Sequence, residues 1–193
     1  MTAPKILAFA GSTRSGSFNR MLLRSAVEAA RRAGGEVTEI DLREFPLPLY
    51  DGDLEAREGL PENARRLRAA FRAHRGLLIA SPEYNSSVSG VLKNAIDWVS
   101  RPQPGEPPLA CFQGKIAALL AASTGMLGGV RGLAALRSIL SNIKVLVLPD
   151  PVTVPQAAEA FTPEGALRDP KRQEAVERLA AELVRVAGRL GEG

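Results

Sequence analysis

Short apolar runs alternate along this chain with longer stretches of helical spacing. Lys5 to Ala10 opens the pattern as a first strand, and Leu22, Leu23, Ala26, Val27 and Ala30 then mark one face of a helix that Gly34-Gly35 ends. Glu36 to Leu42 alternates as a second strand, and a Pro- and Gly-rich loop from Phe45 to Pro61 precedes a short helix reaching about Ala73. The compact run Gly76-Leu77-Leu78-Ile79-Ala80 stops at Ser81-Pro82, which predicts a third strand buried on both faces. Val88, Val91, Leu92, Ala95, Ile96 and Val99 form the stripe of the next helix. Beyond the Pro-rich link from Pro102 to Pro108 come a strand (Lys115 to Ala121), a helix (Gly129 to Asn142) and a fifth strand (Lys144 to Leu148). After an irregular segment, Val176, Leu179, Ala180, Leu183, Val186 and Leu190 define the last helix, and Gly191-Glu192-Gly193 reads as a frayed end.

Five strands alternating with helices predict an α/β fold: a parallel sheet, right-handed crossovers and helices on both faces. Periodicity leaves two common strand orders open. Either order puts ligands outside the carboxyl ends of the strands, where the unusual polar segments of this chain follow strands one, three and four. With 193 residues, 45% of them hydrophobic, the chain suits a single domain spanning 1–193 with one core.

Charge changes this picture little. The formal charge is +4, from 25 basic and 21 acidic residues spread along the chain, so solvated helix faces are expected rather than a nucleic-acid stripe. A mild attraction for anionic cofactors follows. Cys111 and His74 are single residues of their kinds, which excludes an internal disulfide and, with no HExxH or CxxC, a zinc site. Cys111 is expected to pack as a small hydrophobe and His74 to sit at a helix end, as a C-terminal charge or a surface residue. The chain begins directly with a strand and has no apolar run of membrane-spanning length, so a cytoplasmic protein without membrane contact is expected.

Gly11 to Phe18 approaches a nucleotide-triphosphate loop, since Gly11 and Gly16 stand between a strand and a helix. Ser17 and Phe18, however, replace the Lys and Ser/Thr that would reach terminal phosphates and magnesium, and the stretch is not G-x-G-x-x-G. What remains is a loop of hydroxyls, amides and one guanidinium at a helix start, suited to a terminal phosphate monoester: Ser12, Ser17 and Asn19 as donors and Arg14 as the neutralising charge. The alternative is that these serines only cap the helix. Pro82-Glu83-Tyr84-Asn85 offers an aromatic face and an amide after a rigid turn, as a flat heteroaromatic ring needs; otherwise Tyr84 is an ordinary turn aromatic and Asn85 closes an Asx-turn. Ser123-Thr124-Gly125 allows close backbone contact from the other side. Arg131 either assists an anionic cofactor or is a solvated helix residue. Trp98 falls off the helix stripe, which marks either a subunit interface or a residue at the core's edge, and Lys93 and Asp97 are spaced to pair.

Three pieces together resemble the NAD(P)H-dependent FMN reductases of the flavodoxin-like superfamily, whose members include quinone, azo-dye and chromate reductases. They are Gly11 to Arg20; Pro82 to Asn85 with Gly90 to Arg101; and Ala122 to Gly125 with Gly128 to Arg131. With Leu47 to Glu55 the similarity covers nearly the whole chain. The resemblance implies a flavodoxin-like three-layer sandwich with a five-stranded parallel sheet in the order 2-1-3-4-5, and bound FMN with NADPH or NADH as co-substrate. It places Ser12, Arg14, Ser17 and Asn19 on the FMN phosphate, Pro82, Glu83, Tyr84 and Asn85 beside the isoalloxazine, and Ser123 and Gly125 against its pyrimidine side. Hydride would pass through the flavin to a small-molecule acceptor such as a quinone, azo compound, free flavin or metal oxyanion, with no catalytic side chain required. It also implies a homodimer or homotetramer built through the helix of Lys93, Asp97 and Trp98, and makes Leu47 to Glu55 a candidate wall of the site. Asn85-Ser86-Ser87-Val88 departs from many relatives, which carry an aromatic or Gly and a Pro there. The alternative function is an FMN-binding electron carrier or regulatory module; carriers of that type are commonly acidic, whereas this chain is basic.

Overall fold

Why the sheet needs two apolar faces is visible in its first strand. In the computed structural model, which describes residues 2–190, β1 (Lys5–Ala10) sends Ile6, Ala8 and Ala10 to one side and Leu7 and Phe9 to the other, all buried. The first side is closed by α1 (Phe18–Arg32) and α7 (Pro170–Arg189), the second by α3 (Glu62–Ala73), α4 (Gly90–Val99) and α5 (Val130–Asn142). β3 (Gly76–Ala80) and β4 (Ile116–Ala122) alternate in the same way, so continuous apolar runs are what two covered faces require. Strands β2 (Glu36–Ile40) and β5 (Leu146–Val147) complete a parallel sheet in the order β2-β1-β3-β4-β5, while β6 (Val152–Val154) also pairs with β4. The flavodoxin-like order is as expected, and β1 and β3 lie side by side at its switch point.

The sheet has six strands rather than five because the last one is broken. The expected strand at Lys144 to Leu148 shortens to Leu146–Val147, paired with Ile116 and Ala117. The chain then rejoins the same partner at Val152–Val154, opposite Leu120 to Ala122. Pro149 and Pro151 lie between, and proline has no N–H to give a ladder. Arg137 bridges the break by donating to the carbonyls of Val147 (3.1 Å), Leu148 (2.6 Å) and Pro149 (3.1 Å).

The segment expected as a loop from Phe45 to Pro61 contains α2 (Gly52–Glu58). Asp51 caps it, accepting from the amides of Asp53 at 2.8 Å and Leu54 at 3.4 Å, and none of its residues is buried, so it carries no apolar stripe to read. A single 3-10 turn, Leu42–Glu44, ends the path from β2, and the short helix α6 (Ala157–Ala160) follows β6. The terminal Gly191-Glu192-Gly193 lies outside the described residues.

Two single residues settle alternatives that the sequence left open. His74 is buried, not at the surface: as the C-cap of α3 its Nδ1 donates to the Ala70 carbonyl at 2.6 Å, and Nε2 lies 2.8 Å from Thr38 Oγ1, tying α3 to β2. Trp98 is also fully buried within its own chain, against Leu60, Ala64, Leu47, Tyr50 and Leu54, and its indole N–H donates to the Pro48 carbonyl at 2.8 Å. The second apolar face of α4 is therefore covered by the Leu47 to Glu55 segment of the same chain. Cys111 is buried as a small hydrophobe, and burial pushes its thiol up.

Lys115 enters the sheet from below, buried, its ammonium donating to the His74 carbonyl. Burial pushes it down to about 8, Cys111 opposing and Arg75 and Arg72 reinforcing the shift. The unfolded chain keeps this proton up to the ordinary 10.5, the folded chain only to about 8, so the Lys115 contribution makes stability rise with pH between those values. In urea unfolding, wild type is expected to gain about 3 kcal/mol on Lys115→Met across that window, because methionine keeps the stem without the charge. An unchanging difference would remove Lys115 as the source.

Candidate functional site

Three loops meet at the carboxyl edge of the sheet, and short hydrogen bonds hold them there. The loop after β1 starts where the Gly11 amide donates to Ala80 O at 2.9 Å, and the loop after β3 where the Ser81 amide donates to Leu120 O at 2.8 Å. Ser89, the N-cap of α4, accepts from the Leu92 amide at 3.3 Å and donates to Gly11 O at 2.6 Å. This join needs Gly11, since a Cβ there would lie 2.9 Å from Leu92 Cδ2. Ser89 is legible in the sequence as a helix cap before an apolar stripe, but its tie to a residue 78 positions away is not.

The first loop has the features of an anion cradle. Among the described residues, the backbone N–H groups of Thr13, Ser15, Gly16, Phe18 and Asn19 donate to no protein acceptor. Ser17 stands at the N-cap of α1 with extended backbone, yet its buried side chain makes no capping bond. Capping alone therefore does not account for it. Ser12 is buried and accepts from the Arg14 amide at 3.4 Å, while Arg14 itself is exposed at the loop tip. Unpaired amides, two serine hydroxyls, a guanidinium and the positive end of a 15-residue helix fit a terminal phosphate.

Asn19 has a different task from its neighbours. Buried in the first turn of α1, it donates through Nδ2 to Ala122 O (2.8 Å) and accepts through Oδ1 from Ala122 N (2.9 Å), closing the end of β4 as a strand partner would. Asn19→Ala leaves both Ala122 groups without that partner, and a loss of about 2 kcal/mol in urea unfolding is expected. Asn19→Asp should behave similarly, because a carboxylate cannot donate to the carbonyl.

Beyond Pro82, the second loop makes a tight two-residue turn. Tyr84 and Ser87 exchange amide-to-carbonyl bonds of 3.0 Å each, with Asn85 (φ 50°) and Ser86 (φ 62°) both left-handed between them. Asparagine tolerates that conformation. Tyr84 and Asn85 are exposed, whereas Glu83 turns inward. Its carboxylate accepts from the Gly132 amide at 2.9 Å and from Arg131, whose Nη2 lies 2.8 Å away. Burial raises the Glu83 carboxyl, but the Gly132 amide and the Arg131 guanidinium outweigh it and hold it below its ordinary value. Arg131 is thus part of an internal ion pair. The family resemblance implies a place for Glu83 beside a ring; its partners, 48 and 49 positions on, carry no local signal.

The third loop is fixed from behind. Ser123 N donates to Val154 O at 3.0 Å and Ser123 Oγ accepts from the Gly125 amide at 3.3 Å, so β6 sets its height. Its outer residues Met126 (73% exposed) and Leu127 (54%) leave apolar side chains exposed, as does Tyr84 (48%) in the second loop.

The sequence profile of the NADPH-dependent FMN reductases matches residues 4–159. An NAD(P)H-dependent FMN reductase of Pseudomonas aeruginosa is 41% identical over 175 residues, 90% of this chain and 89% of that protein. A quinone reductase of Escherichia coli is 39% identical over 147 residues, 76% of this chain and 74% of its own. Among solved structures, the flavoenzyme NAD(P)H:(acceptor) oxidoreductase FerB from Paracoccus denitrificans superposes with a TM-score of 0.80 at 28% identity, covering 96% of this chain and 98% of that one. With the loop geometry and sheet order already described, a match spanning most of the chain leaves one assignment: this chain belongs to the NADPH-dependent FMN reductase family.

Proposed function

We propose that residues 1–193 form one FMN-binding domain that takes reducing equivalents from NADPH or NADH and delivers them to a small-molecule acceptor: a quinone, an azo compound, free flavin or a metal oxyanion. The observation that carries this reading is the set of acceptor-free amides of Thr13, Ser15, Gly16, Phe18 and Asn19 around Ser17, whose side chain makes no capping bond, on the same sheet edge as the two other loops. When bound, FMN supplies the hydride chemistry, and the protein binds, orients and excludes water. Ser12, Arg14 and Ser17 hold the phosphate; Pro82, Tyr84 and Asn85 border the ring, and Ser123 and Gly125 approach it from the β4 side. Asn19 and Glu83 serve from behind, since their polar groups are engaged by Ala122 and by Arg131 and Gly132. The exposed apolar side chains of Tyr84, Met126 and Leu127 on these loops favour flat acceptors.

Among the described residues no helix is long and apolar enough to cross a membrane, and a cytoplasmic place is part of the proposal. Surface arginines are largely interleaved with acids, as in Arg32–Glu177, Arg65–Glu62, Arg178–Glu174 and Arg185–Glu182, which argues against nucleic-acid binding. Association into dimers or tetramers would use the face of α4 that carries the Lys93–Asp97 pair (2.8 Å), with Trp98 already covered.

The visible spectrum of protein reconstituted with FMN, followed anaerobically as NADPH and then NADH are added, tests the reading. Rapid bleaching reversed by a quinone is expected. Flavin that stays oxidised would indicate a carrier or regulatory module, and failure to bind FMN would mean that the loops have been misassigned.

A further inference from the structure

Glu83 sits between two residues of the ring loop, yet its carboxylate is committed elsewhere. The side chain is only 9% exposed and reaches the first turn of α5, where it accepts from the Gly132 amide at 2.9 Å and from Arg131 Nε at 3.0 Å. Helix starts carry free amides and partial positive charge, so this turn has both satisfied by a side chain from another loop. The contact is backbone-close. A Cβ on Gly132 would lie 3.1 Å from Glu83 Cβ, 3.1 Å from Ser87 O and 3.2 Å from Glu83 Cα, so a side chain there would require the loop after β3 to give by a few tenths of an ångström. Gly129, left-handed at φ +91°, makes the preceding turn, and a Cβ there would lie 2.7 Å from Ala121 Cβ.

We infer that Glu83 is a positioning residue of the flavin site: it fastens the loop after β3 to the loop and helix after β4, and its charge balances Arg131 and the positive end of α5 beside the ring. This rests on the flavin reading above. Two separable consequences follow. The fastening makes the two loops open together or not at all. The balance of charge means that neither oxidised FMN nor the more negative reduced FMN is strongly favoured by this corner. Removing Glu83's charge leaves Arg131 and the helix end uncompensated and favours reduced FMN; removing Arg131's charge leaves the carboxylate and disfavours it. By linkage, the midpoint potential of bound flavin measures the ratio of affinities for the reduced and oxidised forms.

The experiment compares wild type, Glu83→Gln, Glu83→Asp and Arg131→Gln in two measurements. Hydrogen exchange of the flavin-free proteins reads the fastening, and the midpoint potential of the FMN-loaded proteins reads the charge. In Glu83→Gln, amides at 84–87 and 129–133 are expected to exchange faster together, and the potential to rise, with the affinity ratio moving several-fold toward reduced FMN, the order expected of one partly screened charge. Glu83→Asp, too short to reach Gly132 but still charged, accelerates exchange with little change of potential. Arg131→Gln moves the potential the opposite way from Glu83→Gln. Potentials that shift in the same direction in both charge-removing variants would overturn the inference, since loosening alone drives both toward free FMN. Unchanged exchange in Glu83→Gln would overturn it as well. Wild-type protein that binds no FMN would instead sink the flavin reading, and with it any flavin-positioning role for Glu83.

Discussion

Arg14→Ala combined with Ser17→Ala is expected to weaken FMN binding by about two orders of magnitude while the fold survives. A charge-assisted hydrogen bond contributes about 1.5–3 kcal/mol and a neutral one about 0.5–1.5 kcal/mol, which together span roughly thirty- to a thousandfold in Kd. The fold is insulated from the change: Arg14 is exposed, and Ser17 makes no capping bond whose loss would fray α1. A Ser N-cap that did cap would cost the protein about 1 kcal/mol on replacement, so the unchanged urea midpoint of the double variant is part of the prediction. Gel filtration after reconstitution, with flavin absorbance followed against protein, reads the binding. Stoichiometric FMN on the double variant would remove the loop after β1 as the phosphate site.

The elements of this fold were legible wherever one physical signal governed them. Gly76 to Ala80 reads as a buried strand because both of its faces are covered, and α1 and α7 read from stripes that face a single sheet. α2 was illegible because nothing in it is buried, so only Asp51 as a cap announces it. The broken edge strand was half legible: Pro149 and Pro151 end β5, but nothing local says that Val152–Val154 returns to the same partner. In the site, residue types that bind anions stood out in the first loop, while the division of labour did not. Asn19 and Ser17 look alike as donors in a polar loop, and only the reach of Asn19 to Ala122, across 103 positions, shows that the Asn19 side chain braces the end of β4. Glu83 and Arg131 are separated from each other by the same kind of distance, so their pairing belongs to topology rather than to pattern.

Trp98 is where pattern and packing diverge most, and its replacement by alanine is expected to cost about 3–5 kcal/mol in unfolding free energy, the range for removing a fully buried large aromatic. The loss is one of packing. Its hydrogen-bond partner, Pro48 O, also accepts from Asn94 Nδ2 at 2.9 Å, so the carbonyl is not left orphaned. Around the indole stand Leu60 and Ala64, with Tyr50 edge-on at 5.1 Å between ring centroids, and Tyr50 is itself held through its amide by Asn94 Oδ1 at 2.8 Å. Trp98→Phe, which keeps much of the apolar volume, is expected to cost about half as much or less. An interface tryptophan predicts something else: a small intrinsic loss, dissociation of the oligomer and a stability that depends on protein concentration. Burial within one chain predicts a loss that is the same at every concentration. Urea unfolding at two widely separated protein concentrations, alongside light scattering, distinguishes them. A loss below about 1 kcal/mol accompanied by dissociation would return Trp98 to the subunit interface, because a cavity of that size within one chain cannot be so cheap.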